Sequence, residues 1–190
     1  MELTVSGLKR ITAAGPLSIP VFNLARSELK TYLGYPEIAD SCLRRLRELL
    51  PAVKVIGRPV LVLGYGTLGS RLANALRAQG CQVNVVDPDP LALIGAAENG
   101  HTTYRTAVDA LLAMRPFLVV ATTGEVDALT EEAVSLLPDE IVMAPYATKD
   151  FELLTTDPEL ARAAWRSPAL AAATVCGAAP GRRFSATAGA

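Results

Sequence analysis

LVLGYGTLGSRLANALRAQG, residues Leu61 to Gly80, sets an apolar run, three glycines and a helical stretch end to end. Pro59 to Leu63 is continuously apolar, as expected of a parallel strand covered on both faces. From Thr67 to Gln79, the residues Leu68, Leu72, Ala75 and Leu76 fall on one side of a helix. Gly80 then sits where a C-cap glycine belongs. Between strand and helix, Gly64, Gly66 and Gly69 make a GxGxxG loop. Gly64 permits the tight turn, Gly66 lets a pyrophosphate approach the backbone, and Gly69 lets the helix lie close on the strand. The first turn, Thr67 and Leu68, offers free N–H groups and the positive end of the helix dipole to an anion.

The alternation continues outward. Strands are expected at Gln82 to Val86, His101 to Tyr104, Phe117 to Ala121 and Glu140 to Ala144. Helices are expected at Pro90 to Glu98, Ala107 to Ala113 and Leu129 to Leu137. Such alternation predicts an α/β fold, a Rossmann-type doubly wound parallel sheet, with right-handed crossovers. Upstream lies an N-terminal helical segment. Leu3 to Ala14 reads as a helix broken by Gly15-Pro16, Ser18 to Phe22 as extended, and Ala25 to Leu33 as helical. A second break is expected at Gly34-Tyr35-Pro36. Glu37 to Leu50 then reads as an amphipathic helix, with Ile38, Cys42, Leu43, Leu46 and Leu49 on one face and Arg44, Arg45, Arg47 and Glu48 on a solvated one. The expected organisation is residues 1–55 as the helical segment, 56–168 as the dinucleotide domain, and 169–190 as an Ala- and Gly-rich tail.

The second strand ends in VNVVD. Its Asp87 follows the loop at the spacing of a ribose-binding acid, where a carboxylate accepts from the ribose hydroxyls and repels a 2′-phosphate. That favours NAD over NADP as cofactor. The 190 residues are 51% hydrophobic and carry a formal net charge of -1, which leaves no basic face for nucleic acid. No apolar run is long enough to span a membrane, and the N-terminus is not read as a signal peptide. Cys42, Cys81 and Cys176 show no metal-ligand spacing, so no metal site is expected. They are read as reduced thiols of a cytoplasmic protein. His101, the one histidine, is expected to be an ordinary surface or strand-end residue.

GYGTLG, VVDPDP and ATTGEVD together resemble the NAD-binding domain of the S-adenosylhomocysteine hydrolase family, which carries a GYGxVG loop, an acid-x-D-P segment and TTGxxD. Thr122, Thr123, Gly124 and Asp127 match the last of these. ATKDFE, residues 147–152, takes the place of the family's GHFDxE. Asp150 and Glu152 match, and Thr148 replaces the histidine. Thr4 to Leu8 resembles the family's TTTGV, whose threonines lie near the nicotinamide. In IPVFNLARSELK, the residues Pro20, Asn23, Ser27 and Lys30 fall on the family's PxINVNDSxTK, and Lys30 matches its active-site lysine. Ala25 replaces a family asparagine, and Leu3 stands for its glutamate. GRRF, residues 181–184, is similar to the family's GRR strand. The likeness runs from about Leu3 to Leu153 and is strongest from Gly57 to Gly124. The family's substrate domain would lie before Met1.

The resemblance implies NAD at Thr4, Gly64, Gly66, Thr67, Leu68, Gly69, Asp87, Thr122, Thr123 and Gly124, with Lys30 and Asp150 as catalytic candidates. Lys30 reads either as a desolvated base or orienting group, or as a solvated lysine on a helix face. With the family's acids replaced, the expected activity is a small NAD-dependent enzyme acting on a small metabolite rather than a true hydrolase. The alternatives are a non-catalytic NAD-binding regulatory or partner subunit, or part of a split or longer hydrolase. Apolar surface where another domain would pack predicts a homo-oligomer, most simply a dimer.

Overall fold

The structure, a computed structural model, describes residues 4–50, 53–125, 128–138 and 141–146, and the strand at 174–175. Six parallel strands form the sheet: β1 (Pro59–Leu63), β2 (Gln82–Val86), β3 (Thr102–Tyr104), β4 (Leu118–Ala121), β5 (Val142–Pro145) and β6 (Thr174–Val175). Their order is β3-β2-β1-β4-β5-β6, the doubly wound arrangement. The order reverses between β1 and β4. The loops leaving those two strands part there and open a crevice at the carboxyl edge of the sheet.

Alternating side chains of the strands build two cores. Val60, Val62, Val83, Val85, Leu118 and Val120 face α3 (Thr67–Ala78) and α4 (Pro90–Glu98). Leu61, Leu63, Val119, Ala121 and Met143 face α5 (Ala107–Ala113) and α6 (Glu131–Ser135). Right-handed crossovers require this division. The steps β1 to β2 to β3 run one way across the sheet and put α3 and α4 on one face; β4 to β5 runs the other way and puts α6 on the opposite face. The first face is therefore left without a crossover helix over β4 and β5. The N-terminal α2 (Tyr35–Leu49) fills that place, burying Ala39, Cys42, Leu43 and Leu46 in the same core as α3. The Tyr146 hydroxyl, beyond β5, donates to the Cys42 carbonyl at 3.0 Å and fastens α2 there.

One expectation is corrected upstream. Gly34-Tyr35-Pro36 is not a break. The chain is helical from Glu28 to Leu49, passing through a π-helical turn at Lys30–Gly34 directly into α2. Proline clashes with the carbonyl four residues back in a regular helix, and the wider turn accommodates Pro36. Ser18 to Phe22 forms no strand. The first helix, α1 (Val5–Ala13), is capped by Thr4, whose Oγ1 accepts from the Gly7 amide at 3.0 Å. Downstream, α6 begins later than the expected helix because Thr130 caps it, accepting from the Ala133 amide.

Gly80 closes α3 in a Schellman motif. Its φ is +88°, its amide donates to the Arg77 carbonyl, and the Cys81 amide donates to Leu76. Gly100 closes α4 the same way, with the His101 amide donating to the Ala96 carbonyl. That second motif turns His101 inward.

Candidate functional site

The glycine loop shows three different reasons for glycine. Gly64 has a φ of +89°, the left-handed region that favours glycine, and its amide donates to the Val86 carbonyl at 2.8 Å. A Cβ at Gly69 would lie 2.7 Å from Thr122 Oγ1 and overlap the Gly64 carbonyl, so close helix–strand packing demands glycine there. Gly66 has an ordinary negative φ, and a Cβ there would meet nothing within 4 Å. Nothing in the described protein excludes a side chain at Gly66; the space beside it is open and suits an approaching ligand.

The helix that follows is uncapped. Thr4, Asp89, Thr106 and Thr130 each accept from an early amide of α1, α4, α5 and α6. No side chain among the described residues does so for α3, and Gly66 and Thr67 are exposed at its start. Free N–H groups at a helix start are a phosphate cradle.

Asp87 is tied into this loop. Its Oδ2 accepts from the Tyr65 amide at 2.7 Å and its Oδ1 from the Asp89 amide at 2.9 Å. A carboxylate retains lone pairs for a ribose diol beyond those two bonds. Tyr65 points the other way. Its ring is buried beside Asn74, Asn99 and His101, lying edge-to-face on the His101 ring with centroids 5.7 Å apart. Burial raises its pKa.

A cavity of about 420 Å³ opens between the loop and the N-terminal segment. One wall is Gly66, Thr67 and Leu68; another is Thr122, Thr123 and Gly124; Thr4 and Lys30 close it. These are eight of the cofactor and catalytic candidates on one concave surface. Gly64 and Gly69 lie behind it as backbone supports, and Asp87 lies at the end of the neighbouring strand β2. Thr122 is a brace: its hydroxyl lies 3.0 Å from the Leu63 carbonyl and 3.1 Å from that of Gly64. Thr123 Oγ1 accepts from the Glu125 amide, and Gly124 turns the chain with a φ of +66°.

Lys30 reaches the cavity through local backbone devices. Asn23 Oδ1 accepts from the Ala25 amide at 2.9 Å, and the Ser27 hydroxyl accepts from the Lys30 amide at 3.2 Å. Asn23 and Ser27 thus shape the entry to the helix that carries Lys30. The Lys30 ammonium stands 5.3 Å from the centroid of the Tyr35 ring.

Sequence reading missed four polar contributors, Lys9, Tyr35, Glu125 and Tyr146, which line the cavity together with the apolar Val5 and Ile38. Lys9 and Glu125 form an ion pair that joins α1 to the loop after β4. Their signal was indirect, since Lys9 follows the Thr4 segment and Glu125 follows Gly124. Asp150, Asp127 and Glu152 lie outside the described residues.

His101 is a strand-end residue, directly before β3, and not a surface one. It is 5% exposed, packed behind the loop, with Nε2 at 2.8 Å from Asn74 Oδ1. Burial, then the Arg77 charge, lowers its pKa, so it is held neutral away from the cavity. Cys42 is inert for the same reason: burial pushes its thiol up to about 11. No cluster of metal-ligating side chains occurs among the described residues, and no described helix is long and apolar enough to cross a membrane.

Residues 37–164 match the family model for the S-adenosyl-L-homocysteine hydrolase NAD-binding domain. Among solved structures, the chain is similar to a dipicolinate synthase polypeptide from Bacillus halodurans, with 21% identity over 83% of this chain and 50% of that one, at a TM-score of 0.62. It is also similar to the corresponding dipicolinate synthase polypeptide of Bacillus subtilis, with 17% identity over 92% and 55% and a TM-score of 0.62. An NADPH-dependent glyoxylate/hydroxypyruvate reductase of Sinorhizobium meliloti matches at 19% identity over 80% and 52%, with a TM-score of 0.57. The chain spans about half the length of these proteins. At these identities the likeness shows the fold alone.

Proposed function

The chain belongs to the S-adenosyl-L-homocysteine hydrolase NAD-binding-domain family, its cofactor is NAD, and on that premise we propose a small NAD-dependent enzyme acting on a small metabolite. The observation that carries the reading is the pairing of an open glycine with an uncapped helix: Gly66 leaves room beside it, and among the described residues no side chain accepts from the first amides of α3. The amides of Thr67 and Leu68 hold the pyrophosphate, and Asp87 accepts from the ribose diol. When bound, NAD supplies the hydride acceptor or donor. Lys30 orients the substrate hydroxyl or carboxylate and takes or returns the hydroxyl proton, while the Thr123–Gly124 wall keeps water from that end. Leu3 and Thr148 stand where the family has an acid and a histidine, which supports a redox reaction over full hydrolysis.

Calorimetric titration with NAD and NADP tests the cofactor site, and formation of NADH absorbance with a panel of small alcohols and hydroxy acids tests the chemistry. NADH formation lost in Lys30→Met supports the reading. NAD binding with no turnover anywhere in the panel favours the second reading, a non-catalytic NAD-binding subunit. One observation supports that second reading: the one histidine is buried away from the cavity. We further propose that the protein works in the cytoplasm as a homodimer.

A further inference from the structure

Five consecutive residues, Lys30 to Gly34, make a π-helical turn, and it is this turn that brings Lys30 to the cavity. In an α-helix, residues five apart point to different sides. Here the Tyr35 amide donates to the Lys30 carbonyl, closing the turn at five residues, so Lys30 and Tyr35 share a face and both line the cavity. The arrangement leaves one backbone group in difficulty. In an α-helix the Thr31 carbonyl would accept from the Tyr35 amide, but that amide is committed to Lys30. The next donor in a π turn would be residue 36, which is proline and has no N–H.

Arg71 supplies the missing donor. Its Nη2 donates to the Thr31 carbonyl at 2.7 Å, and its Nη1 donates to the Thr67 carbonyl at 2.8 Å. The guanidinium is a planar fork with donors in fixed directions, so one side chain ties two backbones together. One of those backbones is the first residue of α3, at the proposed phosphate cradle. The other adjoins Lys30. Loop and lysine turn are otherwise remote in sequence, and no other side chain among the described residues is shown bonding both.

We propose that Arg71 is a positioning residue: it replaces the N–H that Pro36 lacks and fixes the Lys30 turn against the start of the cofactor helix. Arg71 does not line the cavity; it acts through Thr31. The proposal rests on the NAD-site reading only for its coupling to the cofactor.

The test is NMR of the protein with its lysines 13C-dimethylated, the Lys30 resonance being assigned with Lys30→Arg. In wild type the Lys30 methyl signal is displaced by the Tyr35 ring and moves when NAD saturates the site. In Arg71→Met, which keeps the stem and removes the donors, the signal collapses to the position of exposed lysines and ceases to respond to NAD. NAD affinity, read by calorimetry, falls by less than about threefold, since no contact to the nucleotide is removed. An undisplaced wild-type signal, or an Arg71→Met signal identical to wild type, overturns the proposal. If Arg71→Met does not fold, Arg71→Gln, with one amide donor, is measured in the same way; a wild-type signal and wild-type NAD response in that variant also overturn it. If wild type binds no NAD, the functional reading fails, while the ligand-free comparison of wild type with the variants still decides the role of Arg71.

Discussion

Gly66 and Gly69 stand three residues apart in one motif and make opposite predictions. A Cβ at Gly66 meets only open space, so Gly66→Val folds with an unchanged melting temperature and loses NAD binding by at least roughly a hundredfold, because the valine occupies the path of the pyrophosphate. Gly69→Ala places its methyl against the Gly64 carbonyl and Thr122, so it lowers the melting temperature or prevents folding. Differential scanning fluorimetry beside calorimetry separates the two; a destabilised Gly66→Val would remove the argument that this glycine serves the ligand. Asp87 needs two variants as well. Its carboxylate holds the Tyr65 amide in addition to its proposed ribose contacts. Asp87→Ala therefore loosens the loop and weakens NAD by about ten- to a hundredfold without a matching gain for NADP. Asp87→Asn keeps an oxygen for the Tyr65 amide and removes the charge, so NADP gains more in it than in Asp87→Ala. Equal NADP affinity in both variants would show that the loop does not depend on this bond. The motif positions were legible because the three glycines keep a fixed spacing between an apolar strand and a helix, whatever the separate reason for each. The brace from Asp87 to Tyr65 was not, since a hydrogen bond across 22 positions leaves no periodic trace.

At the scale of elements, the Schellman motif ending α4 decides what the protein does with its one histidine. Gly100 reverses the chain and His101 enters the space between α3 and β3, where Nε2 meets Asn74 and the ring meets Tyr65. Sequence placed His101 correctly at a strand start and misjudged its exposure, because a turn that buries the residue after it looks locally like any Asn-Gly loop. The consequence is a pH dependence. The folded-state pKa of His101 lies below its unfolded value, so the unfolded chain takes up the proton first as pH falls. Stability is complete above the unfolded value and is lost as pH falls below about 6.5, by at most about 1.4 kcal/mol for each pH unit, until the folded histidine also protonates. Urea unfolding at a series of pH values between neutrality and about pH 5.5 measures this, because no other side chain titrates normally in that window. His101→Asn should flatten the slope; an unchanged slope in that variant would assign the effect elsewhere. The same scale explains the missed continuity at Pro36. Proline ends an α-helix but not a helix that has widened, and nothing in the composition of Lys30 to Gly34 marks a π turn.

For the whole molecule, alternation of strands and helices was enough to predict the doubly wound sheet, since right-handed crossovers leave few alternatives. The docking place of α2 required the three-dimensional consequence of that rule, an uncovered stretch over β4 and β5. Once α2 is docked, the segment before it is left facing outward. Seven of the eleven large apolar side chains that are exposed among the described residues fall between Leu17 and Ile38, including Phe22, Leu29, Tyr32 and Leu33. Of the others, Leu91 and Ile94 lie three apart on α4, while Ile56 and Leu112 stand singly, as apolar residues on ordinary surfaces do. Leu29 and Leu33 are four residues apart in a helical stretch and so lie on the same side, Leu29 just before the turn that carries Lys30 and Leu33 within it. A second copy related by a two-fold axis would cover this segment with the same residues of its own, and stable interfaces bury roughly 800 Å² on each partner. The expected result from light scattering at micromolar concentration is a dimer. Leu29→Glu with Leu33→Glu places like charges on both sides of that axis and yields a monomer of unchanged melting temperature. A wild-type monomer at that concentration would refute the dimer. A dimer that survives both glutamates would move the interface to another face of the molecule.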